Sequence, residues 1–324
     1  MARELTELGA HVLERGDGVV RFRYAGPWQM LAGLRVVGSV EVVVAANLPR
    51  PSAALDDGVF RRLSAVVRRA RSTNRAGAFK SFRVHAAGRD SAVLRRFRQR
   101  LAMETRLQEH PGGADLSVRL RPVDSSGFEL SARITPRPLS ARDWRVCDRP
   151  DALNGPVASV MALLTRPRPD DQWVNLCCGS ASITIERARR GPWSAGVACD
   201  IDPGALTCAA RNLAAAVVDT VQVVRGDVAK LPLPSGWATS LTADLPFGHR
   251  PSPRRPRAFE TELLAETARI ARSGARFVVL TTRRAALDAG LEAARAWTLE
   301  ERIQVDLAAN AQATRPEILV LRRM

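Results

Sequence analysis

The chain has 324 residues, too many for one ordinary core and comfortable for two domains. Apolar residues make up 46% and charged residues 25% of it, as in soluble globular proteins. No apolar run approaches the ~20 residues that span a bilayer, which excludes a helical membrane protein and no membrane partner is expected. The opening Met-Ala-Arg-Glu-Leu-Thr-Glu-Leu has an early acid and no apolar stretch suited to a signal peptide, so a cytoplasmic chain is expected. The net charge of +16 points to a polyanionic partner, although arginine usage this lopsided, with Lys80 and Lys230 as the lysines, is also what a GC-rich genome produces. The five cysteines (Cys147, Cys177, Cys178, Cys199 and Cys208) show no Cys-x-x-Cys spacing. No metal site is expected, and all five are read as reduced, packed as small hydrophobes.

In chain order, Glu4 to Leu8 reads as a helix, Gly18 to Tyr24 as a strand, and Val36 to Ala45 as a long β-branched run. Asp56 to Arg71 places Val59, Phe60, Leu63, Val66 and Val67 on one helical face and Arg61, Arg62, Arg68, Arg69 and Arg71 on the other. Phe79 to Ala86 alternates as a strand. Asp90 to Glu104 is a second helix, capped by Asp90, with Arg95, Arg96, Arg98 and Arg100 on its basic face. Leu116 to Leu120 and Phe128 to Ile134 close a small α+β region as two strands. Pro136, Pro138, Arg142, Trp144, Arg145 and Pro150 then interrupt the pattern and read as a linker, with Trp144 packing it.

From Ala152 onward strands and helices alternate. The strands are Gln172 to Cys177, Ala195 to Cys199, Val221 to Val224, Thr239 to Ala243, Phe277 to Thr281, Ile303 to Leu307 and Ile318 to Leu321. The helices are Ala181 to Arg189, Pro203 to Ala216 and Glu260 to Ala271. Such alternation predicts an α/β fold with a doubly wound, mostly parallel sheet, which binds ligands at the carboxyl ends of its strands.

Four of those ends carry the chemistry. The first strand runs through Asn175 into Cys178-Gly179-Ser180-Ala181, a tight turn opening a helix whose free N–H groups face a ligand. The second ends at Asp200-Ile201-Asp202-Pro203, where an acid suits ribose hydroxyls. The third ends at Gly226-Asp227, and the fourth at Asp244-Leu245-Pro246-Phe247-Gly248. A carboxylate, a carbonyl beside proline and an aromatic ring can together hold a planar amine. An isolated Asp-x-Pro is ordinarily a capped turn; four strand ends in this order point to a site.

These motifs resemble the THUMP-domain-containing class I RNA methyltransferases, most closely the members that modify the exocyclic N2 amine of guanine in tRNA. The similarity covers Ala152 to Met324, Asn212 included, and reaches the first half through Phe79-Lys80-Ser81-Phe82-Arg83-Val84 and Thr135-Pro136-Arg137-Pro138-Leu139-Ser140. It implies a ferredoxin-like N-terminal region over residues 1–50, a THUMP-like RNA-binding domain over 51–136, a linker over 137–151, and a Rossmann-like methyltransferase domain with a seven-stranded sheet over 152–324. It further implies S-adenosylmethionine as cofactor, held by Asn175, Cys178, Gly179, Ser180, Asp200, Ile201, Asp227 and Asp244. Asp200 would serve the ribose ahead of Asp202, and Asp227 the adenine amine. Asp244, Pro246 and Phe247 would hold the target base, which leaves its stack to reach them. The chain departs from the family in carrying Asn175 where Asp is usual and Ala181 where Gly is usual. Glu4 already lies in the first helix, where the family opens with a strand.

Arg250, Arg254, Arg255 and Arg257 follow the fourth motif and suit phosphate contact, with His249 beside them. His85 is read as a strand residue. RNA, tRNA first, is therefore the expected partner. The same plan also serves DNA bases, rRNA or a small-molecule amine, or survives in a non-catalytic RNA-binding relative.

Overall fold

A computed structural model describes residues 2–16, 18–88, 90–123, 127–246, 259–305 and 315–324. They form two compact units, Met1–Ala141 and Arg142–Met324.

The first unit runs α1 (Ala2–Glu7), β1 (His11–Gly16), β2 (Val19–Arg23), α2 (Trp28–Ala32), β3 (Glu41–Leu48), α3 (Asp57–Thr73), β4 (Ser81–His85), α4 (Ala92–Thr105), β5 (Gln108–Glu109), β6 (Leu116–Pro122) and β7 (Phe128–Arg133). β1 and β2 form a hairpin, and the others a mixed sheet ordered β3-β7-β6-β4-β5. The apolar stripe of α3 (Phe60, Leu63, Val67) and that of α4 (Leu94, Phe97, Leu101) pack with Phe82, Val84, Val118 and Leu130 of the sheet. The Phe60 and Phe97 rings meet at 5.0 Å.

Three sequence expectations change here. The β-branched run becomes strand only from Glu41, because the N–H groups of Arg35 and Val36 donate to the Glu4 carboxylate at 3.2 and 3.1 Å instead of to a ladder. The cap of α4 is Ser91, whose Oγ accepts from Leu94 N–H at 3.4 Å; Asp90 stands one residue too early. The basic faces are also partly spent within the unit. Arg62 and Arg71 donate to Val44 and Thr105 carbonyls, Arg69 lies over the Trp28 ring, and Arg100 grips Asp57 and Glu104 at 2.8 Å each.

The second unit continues with α5 (Gly155–Leu164), β8 (Gln172–Leu176), α6 (Ser182–Ala188), β9 (Ala195–Asp200), α7 (Pro203–Ala215), β10 (Val221–Arg225), β11 (Ala238–Asp244), α8 (Phe259–Ile270), β12 (Ala271–Thr281), α9 (Arg284–Ala294), β13 (Trp297–Gln304) and β14 (Glu317–Arg323). Its seven-stranded sheet is ordered β10-β9-β8-β11-β12-β14-β13, parallel except where β14 pairs with β12 and β13. Alternate residues of β12 enter opposite cores. Phe277 and Val279 join Leu263 and Leu264 of α8, whereas Val278 and Leu280 join Met161 and Ala162 of α5. A sheet covered on both faces leaves its strand ends as the place for polar chemistry.

The segment read as a linker is part of this unit from Arg142. Arg142 pairs with the buried Glu186 at 2.9 Å, and Trp144 packs among Ala181, Ile185, Ala209 and Leu213. Gly155 is required beside it, since a Cβ there would stand 2.6 Å from Arg142 Nε. Cys147 is joined to Cys208 of α7 in a disulfide, with Cα atoms 5.4 Å apart. The expectation of five reduced cysteines is thus corrected to Cys177, Cys178 and Cys199. The pair is separated by 61 residues, so packing and not motif spacing brings it within bridging distance. Among the described residues, no helix is long and apolar enough to cross a membrane.

Candidate active site

The parallel register sets four strand ends level. Leu176 of β8 lies beside Cys199 of β9, Arg225 of β10 beside Asp200, and Ala243 of β11 beside Leu176. Strand order reverses at β8, with β9 and β10 to one side and β11 and β12 to the other. The rim between β8 and β11 is therefore the switch point where doubly wound sheets bind ligands.

The turn after β8 alternates into the left-handed region at Cys177 (φ 50°), Gly179 (φ 54°) and Ala181 (φ 65°). Its backbone is pinned from β9: Cys178 N–H donates to the Cys199 carbonyl at 3.0 Å, and Gly179 N–H to Asp200 Oδ2 at 2.9 Å. A Cβ on Gly179 would meet nothing nearer than the Cys177 carbonyl oxygen at 4.0 Å, so the glycine opens onto free space. Ala181 accepts a left-handed backbone that costs about 1–2 kcal/mol for a non-glycine residue. Its fully buried methyl packs with Trp144 and Ile185, which offsets that cost.

Asn175 lies inside the sheet. It is fully buried, its Nδ2 donates to Thr184 Oγ1 at 2.9 Å, and its Oδ1 accepts from Thr242 Oγ1 at 3.0 Å. It ties β8 to α6 and β11. The side chains of Cys178 and Ser180 are also buried. The Ser180 carbonyl accepts from Asn212 Nδ2 at 3.0 Å.

Asp200 is half-buried; its Oδ1 accepts from Asp202 N–H at 3.0 Å while Oδ2 holds Gly179. Asp202 instead caps α7 through Gly204 N–H at 2.8 Å and pairs with Arg149 at 2.8 Å. Ile201 presents a largely exposed apolar side chain, 59% accessible, between the two acids. Asp227 accepts from Ala229 N–H at 3.0 Å, and Gly226 before it is obligatory because a Cβ would stand 2.8 Å from Cys199 Sγ. Burial, then the charges of Asp200, Asp244 and Asp227, push the Cys177 thiol well above its ordinary value. Three carboxylates on three strand ends thus bear on one point.

Asp244 ends β11. Its Oδ1 is shielded from solvent and has no hydrogen-bond partner among the described residues, and burial, then the charge of Asp151, raises its pKa to about 8. A buried acceptor without a donor is costly, and a site for an N–H group is the ordinary reason to keep one. Pro246 is exposed beside it. Phe247, His249, Arg250, Arg254, Arg255 and Arg257 lie outside the described residues.

Residues 142–310 match the model of UPF0020, described as the RMKL-like, methyltransferase domain. The chain belongs to this family.

A curated relative is the tRNA (guanine(6)-N(2))-methyltransferase THUMP3 of Mus musculus, 29% identical over 146 residues, which are 41% of this chain and 29% of that protein. The chain thus spans under a third of that relative's length. Among solved structures, TrmN from Thermus thermophilus superimposes with a TM-score of 0.70 at 22% identity, over 100% of this chain and 95% of that one. SMU.472, a putative methyltransferase complexed with SAH, gives 0.69 at 14% identity, over 100% and 94%. These likenesses establish the class I methyltransferase fold.

Sequence reasoning left Asn212 and Arg149 without roles. Fully buried Asn212 accepts from Val146 and Cys147 N–H at 3.0 and 2.8 Å and donates to the Cys147 and Ser180 carbonyls. A lone Asn on an apolar helix face was the available signal. Among the described residues, no cluster of three His, Cys, Asp or Glu could hold a metal.

Proposed function

We propose that this chain binds S-adenosylmethionine and transfers its methyl group to the exocyclic N2 amine of a guanosine in RNA, with cytoplasmic tRNA the first substrate. The observation that carries the reading is Asp244: a carboxyl whose Oδ1 is shielded and without a partner among the described residues, at the switch point of a methyltransferase-family sheet. The cofactor also fits its rim. Gly179 leaves room above the turn, Asp200 keeps lone pairs for ribose hydroxyls, and exposed Ile201 offers an apolar surface to a flat ring. Asp227 would take the adenine amine.

The cofactor, when bound, supplies an electrophilic methyl carbon on a positively charged sulfur. In the transfer an N–C bond would form as the C–S bond broke, with the electron pair left on sulfur and a proton released from the amine nitrogen. Asp244 accepts a hydrogen bond from the amine and orients its lone pair. With its pKa raised to about 8, Asp244 becomes ionised, and so able to take that proton, as pH rises toward and above that value. Pro246 and Phe247 would frame the extruded base. In the first unit, which we read as ferredoxin-like over residues 1–50 and THUMP-like over 51–136, exposed Arg61, Arg68, Arg95 and Arg96 would meet phosphates.

The test is transfer of labelled methyl into bulk tRNA followed by nucleoside mass spectrometry. N2-methylguanosine should form, and Asp244→Ala should lower the rate roughly 10²–10³-fold. Methylation of DNA or a small amine with none of RNA overturns the substrate, and cofactor binding without any transfer overturns the activity.

A further inference from the structure

Arg149 lies on the strap that precedes α5, outside the four strand-end motifs. Its guanidinium is only 15% exposed and stands between two carboxylates, Asp202 at 2.8 Å and Asp151 at 3.5 Å. From Asp202 the bonding continues without a gap. The Asp202 N–H donates to Asp200 Oδ1 at 3.0 Å, and Asp200 Oδ2 receives the Gly179 N–H at 2.9 Å. Arg149 is thus two links from the acid of β9 and three from the turn after β8.

Two simpler duties are already discharged by other groups. Capping of α7 needs only Asp202 Oδ1, which accepts from Gly204 N–H at 2.8 Å. The strap itself is anchored by Asn212, which bonds Val146 and Cys147, and by the Cys147–Cys208 disulfide. What Arg149 adds is a grip on the second oxygen of Asp202, and through the Asp202 backbone on the orientation of Asp200. Gly204 leaves room for this grip, since a Cβ there would press Asp202 Oδ1 at 3.2 Å and approach Arg149 Nη1 at 3.6 Å.

We propose that Arg149 is a positioning residue for the cofactor: by holding Asp202 it sets the carboxylate of Asp200 and the Gly179 turn for the ribose and methionine ends of S-adenosylmethionine. The inference rests on the reading that this rim binds that cofactor. A carboxylate fixed in advance binds hydroxyls without first giving up its own freedom, so the effect falls on affinity and not on the transfer step. The guanidinium meets the two carboxylates with two different nitrogens, Nη2 for Asp202 and Nε for Asp151, where an ammonium would have one.

Calorimetry with S-adenosylmethionine and S-adenosylhomocysteine on the full chain tests this. Arg149→Ala should raise both dissociation constants about tenfold, equal to ~1.4 kcal/mol. Its kcat at saturating cofactor should stay within about twofold, a KM-against-kcat split that general loosening would not give. Arg149→Lys should recover part of the loss. Asp202→Asn, which retains an oxygen to cap Gly204, should weaken binding as much as Arg149→Ala, and the double variant no further. If Arg149→Ala fails to fold, Arg149→Lys and Asp202→Asn carry the same criteria. A wild-type chain that binds neither ligand overturns the cofactor reading itself. A wild-type chain that binds them, with variants that bind equally well, overturns the role of Arg149 alone.

Discussion

β6 of the first unit and β8 of the second are both central strands, and they differ in what their sheets leave free. β6 alternates: Leu116, Val118 and Leu120 enter the core under α3 and α4, while Ser117, Arg119 and Arg121 face the other way. Polar partners collect on that second face, where Arg21 and Arg121 reach the buried Glu129 at 2.6 and 2.8 Å. β8 is covered on both faces, and its one polar interior residue, Asn175, is closed off by two threonines. A sheet with one apolar face can carry charge along its length. A sheet with two confines charge to its rim, and there Asp200, Asp227 and Asp244 stand.

That contrast can be broken or sharpened by perturbing one unit and reading both. The largest effect should come from reducing the Cys147–Cys208 bridge, which closes a loop of 61 residues and is worth about 4 kcal/mol in chain entropy. Denaturant unfolding should show the second unit weakened and the first unmoved. Thiol titration of the unfolded chain should count three thiols before reductant and five after.

Next is Asp244. Its folded pKa of about 8 lies above the unfolded carboxyl value, so the native state keeps a proton that the unfolded chain has released. Stability from this residue is complete below about pH 4 and is lost as pH rises through about 8. Asp244→Asn should remove that dependence and gain on the order of 3 kcal/mol at pH 6, while ending methyl transfer. Melting temperatures of the two proteins at pH 5, 7 and 9 check the sign: the gap must widen upward.

Asn212→Ala should cost about 2–3 kcal/mol, because it strands two strap N–H groups and two carbonyls. It should also weaken cofactor binding through the freed Ser180 carbonyl, measured by calorimetry beside the melting curve. The smallest effect belongs to the first unit. Ser91→Ala should cost about 1 kcal/mol of α4 stability, and Asp90→Ala less than about 0.5. Equal losses from the two would mean that the cap is shared.

Much of the second unit was legible beforehand, because a sheet buried on both faces writes itself as apolar runs punctuated by polar ends. The strands ending at Asp200 and Asp244 were bounded within a residue for that reason. Two helices, α5 and α9, went unread: α5 is apolar nearly all round, and α9 follows β12 without a strong cap. The first unit was less legible. β1 is exposed along almost its whole length and carries no buried alternation, so only its pairing with β2 marks it as a strand.

The residues from Gln172 to Asp244 by themselves determined the doubly wound order and the four acidic or glycine-bearing strand ends, since spacing and polarity there follow from local geometry. Only tertiary structure decided that Asn175 faces threonines, that Cys147 meets Cys208, and that Arg149 grips the acid next to Asp200. Each depends on two segments far apart in the chain arriving at one place, and a partner's arrival is set by the packing of the sheet and helices between them.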